Sequence, residues 1–192
     1  MRNLYKIIIV FACGLMSLSF FLPLWKITIW APQYPEGLSM QIWSHKFSGD
    51  VQTINILNHY IGMQMIQESS FPELKYFPTV FGVLIIFGLV VAFLNSKKLI
   101  YLWTVSVLSF AIWGLYDFWK WEYNFGHNLN PDAAIKMDDM TYQPPLIGTK
   151  EFLNIQASSW PDLAGYGFAI SVVLGIGISL SLLLDRKKIV EN

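Results

Sequence analysis

The sequence predicts an all-α membrane protein: a bundle of four transmembrane helices with two long extracytoplasmic loops and both termini in the cytoplasm. Three observations predict it. The composition is too apolar for a soluble domain, four runs are long and apolar enough to cross a bilayer, and lysine and arginine gather at one set of helix ends. Of 192 residues, 54 % are apolar, 16 % aromatic and only 14 % charged, against about 45–50 % apolar and about 25 % charged in soluble domains. The chain reads as a single membrane domain over 1–192.

A transmembrane helix needs about 20 mostly apolar residues, because hydrocarbon offers exposed backbone groups no partners. The spans run from about Ile7 to Trp25, Phe77 to Leu94, Leu99 to Tyr116 and Leu163 to Leu184, none with an ionisable side chain. The first resembles a signal peptide, but no small-x-small cleavage site precedes Phe20-Phe21-Leu22-Pro23-Leu24-Trp25, so it is read as a retained anchor. The single cysteine, Cys13, falls inside this run and is read as a packing residue; Val10-Phe11-Ala12-Cys13 matches a lipidation signal poorly. One cysteine also excludes an internal disulfide.

Cytoplasmic flanks keep an excess of cations. Arg2 and Lys6 precede the first span, Lys97 and Lys98 fill the turn between the second and third, and Arg186, Lys187 and Lys188 follow the fourth. The other six cations are diluted among acids in the loops at 26–76 and 117–162, which are therefore placed outside. Trp25, Trp30, Trp119, Trp121, Tyr123 and Trp160 lie just beyond the spans, as expected of an outer aromatic belt. The expected location is a bacterial inner membrane, with membrane lipid around the bundle and the loops in the periplasm. A net charge of zero offers no argument for nucleic acid.

The two halves share a layout: an aromatic-lysine step, a long loop, a proline at re-entry and a glycine-bearing return span. Parallel repeats and simple antiparallel packing explain this equally well. Gly165, Gly167, Gly175, Gly177, Ser171, Ser179 and Ser181 mark a face of the fourth span where a helix can approach closely, whether of this chain or of a partner.

Loops this long are usually functional or disordered, and these are too apolar for disorder. In the first loop Ile27-Thr28-Ile29-Trp30 reads as a short extended piece, Ala31 to Gly37 as turns, and Val51 to Ile66 as an amphipathic helix capped by Asp50 or Thr53. In such a helix His59 and Met63 share a face, and imidazole with thioether suits copper. The second loop holds His127, Met137 and Met140, the last two spaced to share one side of a helical turn. Packing explains each element alone; that every histidine (His45, His59, His127) lies outside the spans near methionine is what raises the metal reading. Tyr142-Gln143-Pro144-Pro145 is read as a rigid brace. Phosphate loops, haem-attachment motifs, HExxH and GxSxG are missing from the sequence, and the spans carry no charge for transport, so no enzyme activity is expected.

Tyr34-Pro35-Glu36-Gly37-Leu38, Thr53 to Met63, Tyr116-Asp117-Phe118-Trp119-Lys120-Trp121-Glu122-Tyr123, Gly126-His127-Asn128-Leu129 and Tyr142 to Pro145 resemble the small four-span membrane proteins found beside nitrous oxide reductase and its copper-maturation factors in Gram-negative bacteria. The resemblance covers most of the chain. It implies an accessory protein whose periplasmic loops support maturation, anchoring or copper supply of a copper enzyme, with copper at His59, Met63, His127, Met137 and Met140 and a protein partner in the membrane or periplasm. The alternative is a structural scaffold of a larger membrane complex with no metal role.

Overall fold

The structure, a computed structural model, describes residues 3–135, 142–152 and 154–190. In chain order its elements are α1 (Asn3–Ser17), β1 (Trp25–Ala31), β2 (Tyr34–Ile42), β3 (Phe47–Gly49), α2 (Val51–Tyr60), α3 (Glu73–Leu94), α4 (Lys97–His127), β4 (Gly148–Phe152), β5 (Ile155–Pro161) and α5 (Leu163–Val190). Four helices, α1 with its 3-10 extension to Phe20, α3, α4 and α5, are long and apolar enough to cross a membrane. Many of their apolar side chains face outward: Ile7, Val83, Phe93, Ile112 and Val173 are all exposed, as expected of helices whose solvent is lipid.

α1 packs against α3 and α5, and α4 packs against the same two helices, closing a four-membered ring. Small residues set the spacing. A Cβ on Gly88 would lie 2.5 Å from Cys13 Sγ and 2.7 Å from Trp103 Nε1, so three helices meet there only because that side chain is missing. Most of the small face of α5 is occupied within the chain, Gly177 being open. Ser171 donates to the Ala12 carbonyl at 3.0 Å, Ser181 bonds Tyr5 at 2.9 Å, and Ser179 and Gly175 engage Thr104 of α4. Each hydroxyl satisfies itself on a neighbouring helix, as polar groups between apolar helices must.

The all-α expectation needs correction: both long connections contribute to one antiparallel sheet of order β3-β2-β1-β5-β4. The central pair, β1 with β5, joins the first connection to the second in the register Ile27↔Ser159 and Ile29↔Ala157. Both connections therefore lie at the same end of the bundle and form a cap. Alternation sorts its faces. Ile27, Leu38, Met40, Ala157 and Ser159 are buried, while Ser39, Thr28, Ser158 and Thr149 run in a row across four strands, bonded through their hydroxyls in the outer pairs at 3.0 and 3.2 Å.

Helix boundaries also differ from expectation. The first span ends at Phe20 and Trp25 opens β1, where its indole N–H donates to Ser159 at 2.8 Å. α2 stops at Tyr60 rather than Ile66, because the chain folds back on it. Gly62 takes a left-handed φ of 79°, and the buried Asn55 amide holds the returning strand by donating to the Ile66 carbonyl at 3.0 Å and accepting from its N–H at 2.7 Å. Asp50 occupies the N-cap position, yet its carboxylate accepts from Ser39 N–H at 2.8 Å instead of capping the helix. α4 runs 31 residues, about 46 Å at 1.5 Å per residue, against about 30 Å of hydrocarbon. Its last third stands inside the cap.

Candidate functional site

That last third organises the cap interior. Phe118, Trp121 and Phe125 lie on one side of α4, and Phe71 packs against Trp121 and Phe125 with ring centroids 5.3 and 5.9 Å away. Trp25 of β1 meets Phe118 edge-on at 5.2 Å. Beneath the sheet this cluster merges with Ile27, Leu38, Met40, Ile54 and Ile66 into a second core, separate from that of the bundle.

Glu122 lies on the same side of α4, one turn beyond Phe118, and is 1 % exposed. Among the described residues neither carboxylate oxygen has a hydrogen-bond partner, and the Trp121 indole N–H and the Tyr142 hydroxyl are likewise buried and unpartnered. Burial pushes the Glu122 carboxyl up from its ordinary 4.5 to about 8, because an apolar surrounding disfavours the charged form. Glu122 is not among the candidate residues drawn from the sequence. The signal was available: four residues after Phe118 and three before Phe125, position 122 falls on the aromatic face of an amphipathic segment.

A surface groove of about 690 Å³ lies between α2 and the chain that folds back along it, lined by Gln52, Asn55, His59, Tyr60, Met65 and Glu68 among others. His59 is exposed here. The expectation that Met63 shares its helical face is corrected: α2 has ended, Met63 is half-buried, and it packs on the cap core with Ile54 and Ile66. The thioether that shares the groove with His59 is Met65. His127 ends α4 stacked on Tyr123 at 3.9 Å. Its Nδ1 lies 2.9 Å from the Tyr123 carbonyl; a carbonyl only accepts, so Nδ1 carries a proton there, which leaves Nε2 as the nitrogen that a metal would take. Met137 and Met140 lie outside the described residues.

The chain after His127 crosses to the end of α2. Asn130 N–H donates to the Gly62 carbonyl at 2.7 Å and Ile135 N–H to that of Tyr60 at 2.9 Å. Gly62 is needed for this approach as well as for its backbone angle, since a Cβ there would meet Asn130 and Ala133 at 2.9 Å. The segments bearing His59 and His127 thus form one surface. Tyr142 N–H donates to the Gly126 carbonyl at 3.1 Å, and Gln143 lies against Gly126 at the end of α4. Among the described residues no three of His, Cys, Asp and Glu come together as a metal site.

A second opening, of about 300 Å³, lies between α3, α4 and α5 just below the cap. Its walls are apolar, with Phe77, Phe81, Phe110, Phe168 and Val172. Two carboxylates join them at the cap end, Glu73 in the first turn of α3 and Asp117 of α4. Asp117 is pushed above the usual carboxylate range by burial first and by the negative charge of Glu73 second, with Lys120 opposing.

No family model, curated protein or solved structure matches this chain. The functional reading therefore rests on the geometry of the cap and on chemistry. His59 belongs to the α2 groove and Asp117 to the opening below the cap. The donors that the geometry offers to a soft metal are His59 with Met65 in the groove and Nε2 of His127 on the adjoining segment.

Proposed function

We propose that the chain is a four-span inner-membrane protein, N-in and C-in, whose periplasmic cap is a non-catalytic accessory module that supports maturation, anchoring or copper supply of a copper enzyme. The observation that carries it is the tie between the segments bearing His59 and His127. Two histidine-bearing segments, far apart in sequence, are tied together by backbone hydrogen bonds at the far end of the bundle from the cationic flanks. An imidazole with Nδ1 held by a carbonyl and Nε2 open is arranged as metal-binding histidines commonly are. Thioethers of Met65, Met137 and Met140 supply the soft donors that favour Cu(I). Met63, packed inward, drops from the donor set.

The test is Cu(I) binding to purified protein, titrated against a competing chelator. Wild type binds Cu(I), and His59→Ala combined with His127→Ala weakens that binding by at least about tenfold, equivalent to 1.4 kcal/mol. Unchanged affinity and stoichiometry would eliminate the copper role. A stable partner that co-purifies regardless of copper and of both histidines would establish the scaffold in its place. The glycine-serine face of α5 gives that rival little support, since most of the face is occupied by the chain's own α1 and α4.

A further inference from the structure

The opening between α3, α4 and α5 combines features that a packing defect does not. Its volume of about 300 Å³ is at the lower end of ligand cavities, which run about 300–1,000 Å³. It lies at the level where apolar helices meet the cap, and it is open on the side where Leu115, Ala169 and Ile147 are exposed. In a chain that spans a bilayer, that depth is the outer leaflet, where acyl chains are the available apolar occupant. Water gains nothing from walls of Phe77, Phe81, Phe110 and Phe168, which offer it no hydrogen bonds.

The cap end of the opening is charged. Glu73 and Asp117 reach it from two different helices and repel each other, so a cation between them would relieve both. Lys120, exposed one turn further along α4, acts on Asp117 from the cap side. A head group with an ammonium for the carboxylates and a phosphate for the lysine is complementary to this arrangement. An anionic head without an amine meets two carboxylates.

We infer that this opening is a binding site for a zwitterionic, primary-amine phospholipid of the phosphatidylethanolamine class, one acyl chain lying among the phenylalanines and the ammonium between Glu73 and Asp117. The site stands independently of the copper reading, and its readout involves no metal.

Gly114 allows a clean test. It lines the opening, and a Cβ placed on it meets nothing within 4 Å, so Gly114→Leu starts from open space, adds bulk at the wall of the opening and favours the helix. The protein is reconstituted in vesicles of equimolar phosphatidylethanolamine and phosphatidylglycerol, extracted in mild detergent, and the lipids it retains are counted by native mass spectrometry. Wild type retains the amine lipid at least about tenfold over phosphatidylglycerol. Gly114→Leu loses it at unchanged thermal stability, and Glu73→Gln with Asp117→Asn abolishes the preference while keeping an acyl lipid. Equal retention of both lipids by wild type overturns the head-group assignment. Retention unchanged in Gly114→Leu overturns the site; should that variant unfold, Ala169→Leu at the exposed rim supplies the same comparison.

Discussion

At the scale of single residues, Glu122 sets two requirements against each other. Its position on α4 buries it among aromatic side chains, and its carboxylate finds no donor there. The folded protein answers by keeping the proton to about pH 8. Between about 4.5 and 8 the folded state holds a proton that the unfolded state has released, so stability is highest at the acid end of this window and falls as pH rises. The limiting slope for one such group is about 1.4 kcal/mol per pH unit. Thermal unfolding followed from pH 5 to 9 should show this decline in wild type and lose it in Glu122→Gln, and Glu122→Leu should be the more stable protein at pH 9. A flat wild-type profile would mean that Glu122 is ionised or partnered. Residue-level inference from sequence was weakest here: the spacing that unites His59 and Met63 holds only while a helix continues, and Gly62 with the Asn55 amide ends it.

Among elements, α3 and α5 depend on small residues for opposite partners. Gly88 brings α3 against Cys13 and Trp103, and Gly165 lies against the Leu24 carbonyl where α1 gives way to the sheet. Gly88→Ala should destabilise the detergent-solubilised protein by about 1–3 kcal/mol through overpacking. Gly177→Ala, whose Cβ enters open space, should be neutral or slightly stabilising through helix propensity. Thermal melts of the two variants check this, and equal losses would contradict the helix packing described. The small-residue stripe of α5 was legible in sequence as a close-approach face, and the structure supplies its partners, α1 and α4. Only three-dimensional packing could assign them, since periodicity shows which face is special and not what it meets.

For the whole molecule, the four long apolar helices were legible because hydrocarbon demands length and apolarity from each segment independently, a requirement that local sequence displays. The cap was not, because its central pairing is long-range. Thr28 faces Ser158 across 129 intervening residues, and β5, with Ser158-Ser159 at its centre, lacks the alternating apolar signal that marks β1. Ile27-Thr28-Ile29-Trp30 was legible as extended; that a strand from the second connection lies beside it was not. The inward Ser159 is explained by its bonds to the Trp25 indole and the Leu146 carbonyl, polar pairings that no periodicity reveals. The candidate copper ligands were half legible in the same sense: histidines could be counted in the connections, but the tie that sets His59 beside the segment after His127 comes from backbone hydrogen bonds.

The central claim is that the two connections form one sheet on one side of the membrane, and β1 with β5 tests it most directly. Residues directly opposite in an antiparallel pair have Cβ atoms about 4.5–5.5 Å apart, close to disulfide range, and the native Cys13 is buried. Thr28→Cys with Ser158→Cys, oxidised in intact membranes, should close an intramolecular disulfide in high yield, while Thr28→Cys with Glu36→Cys should not. Absence of the crosslink, together with labelling of Cys introduced at 28 and at 158 from opposite faces of the membrane, would contradict the account.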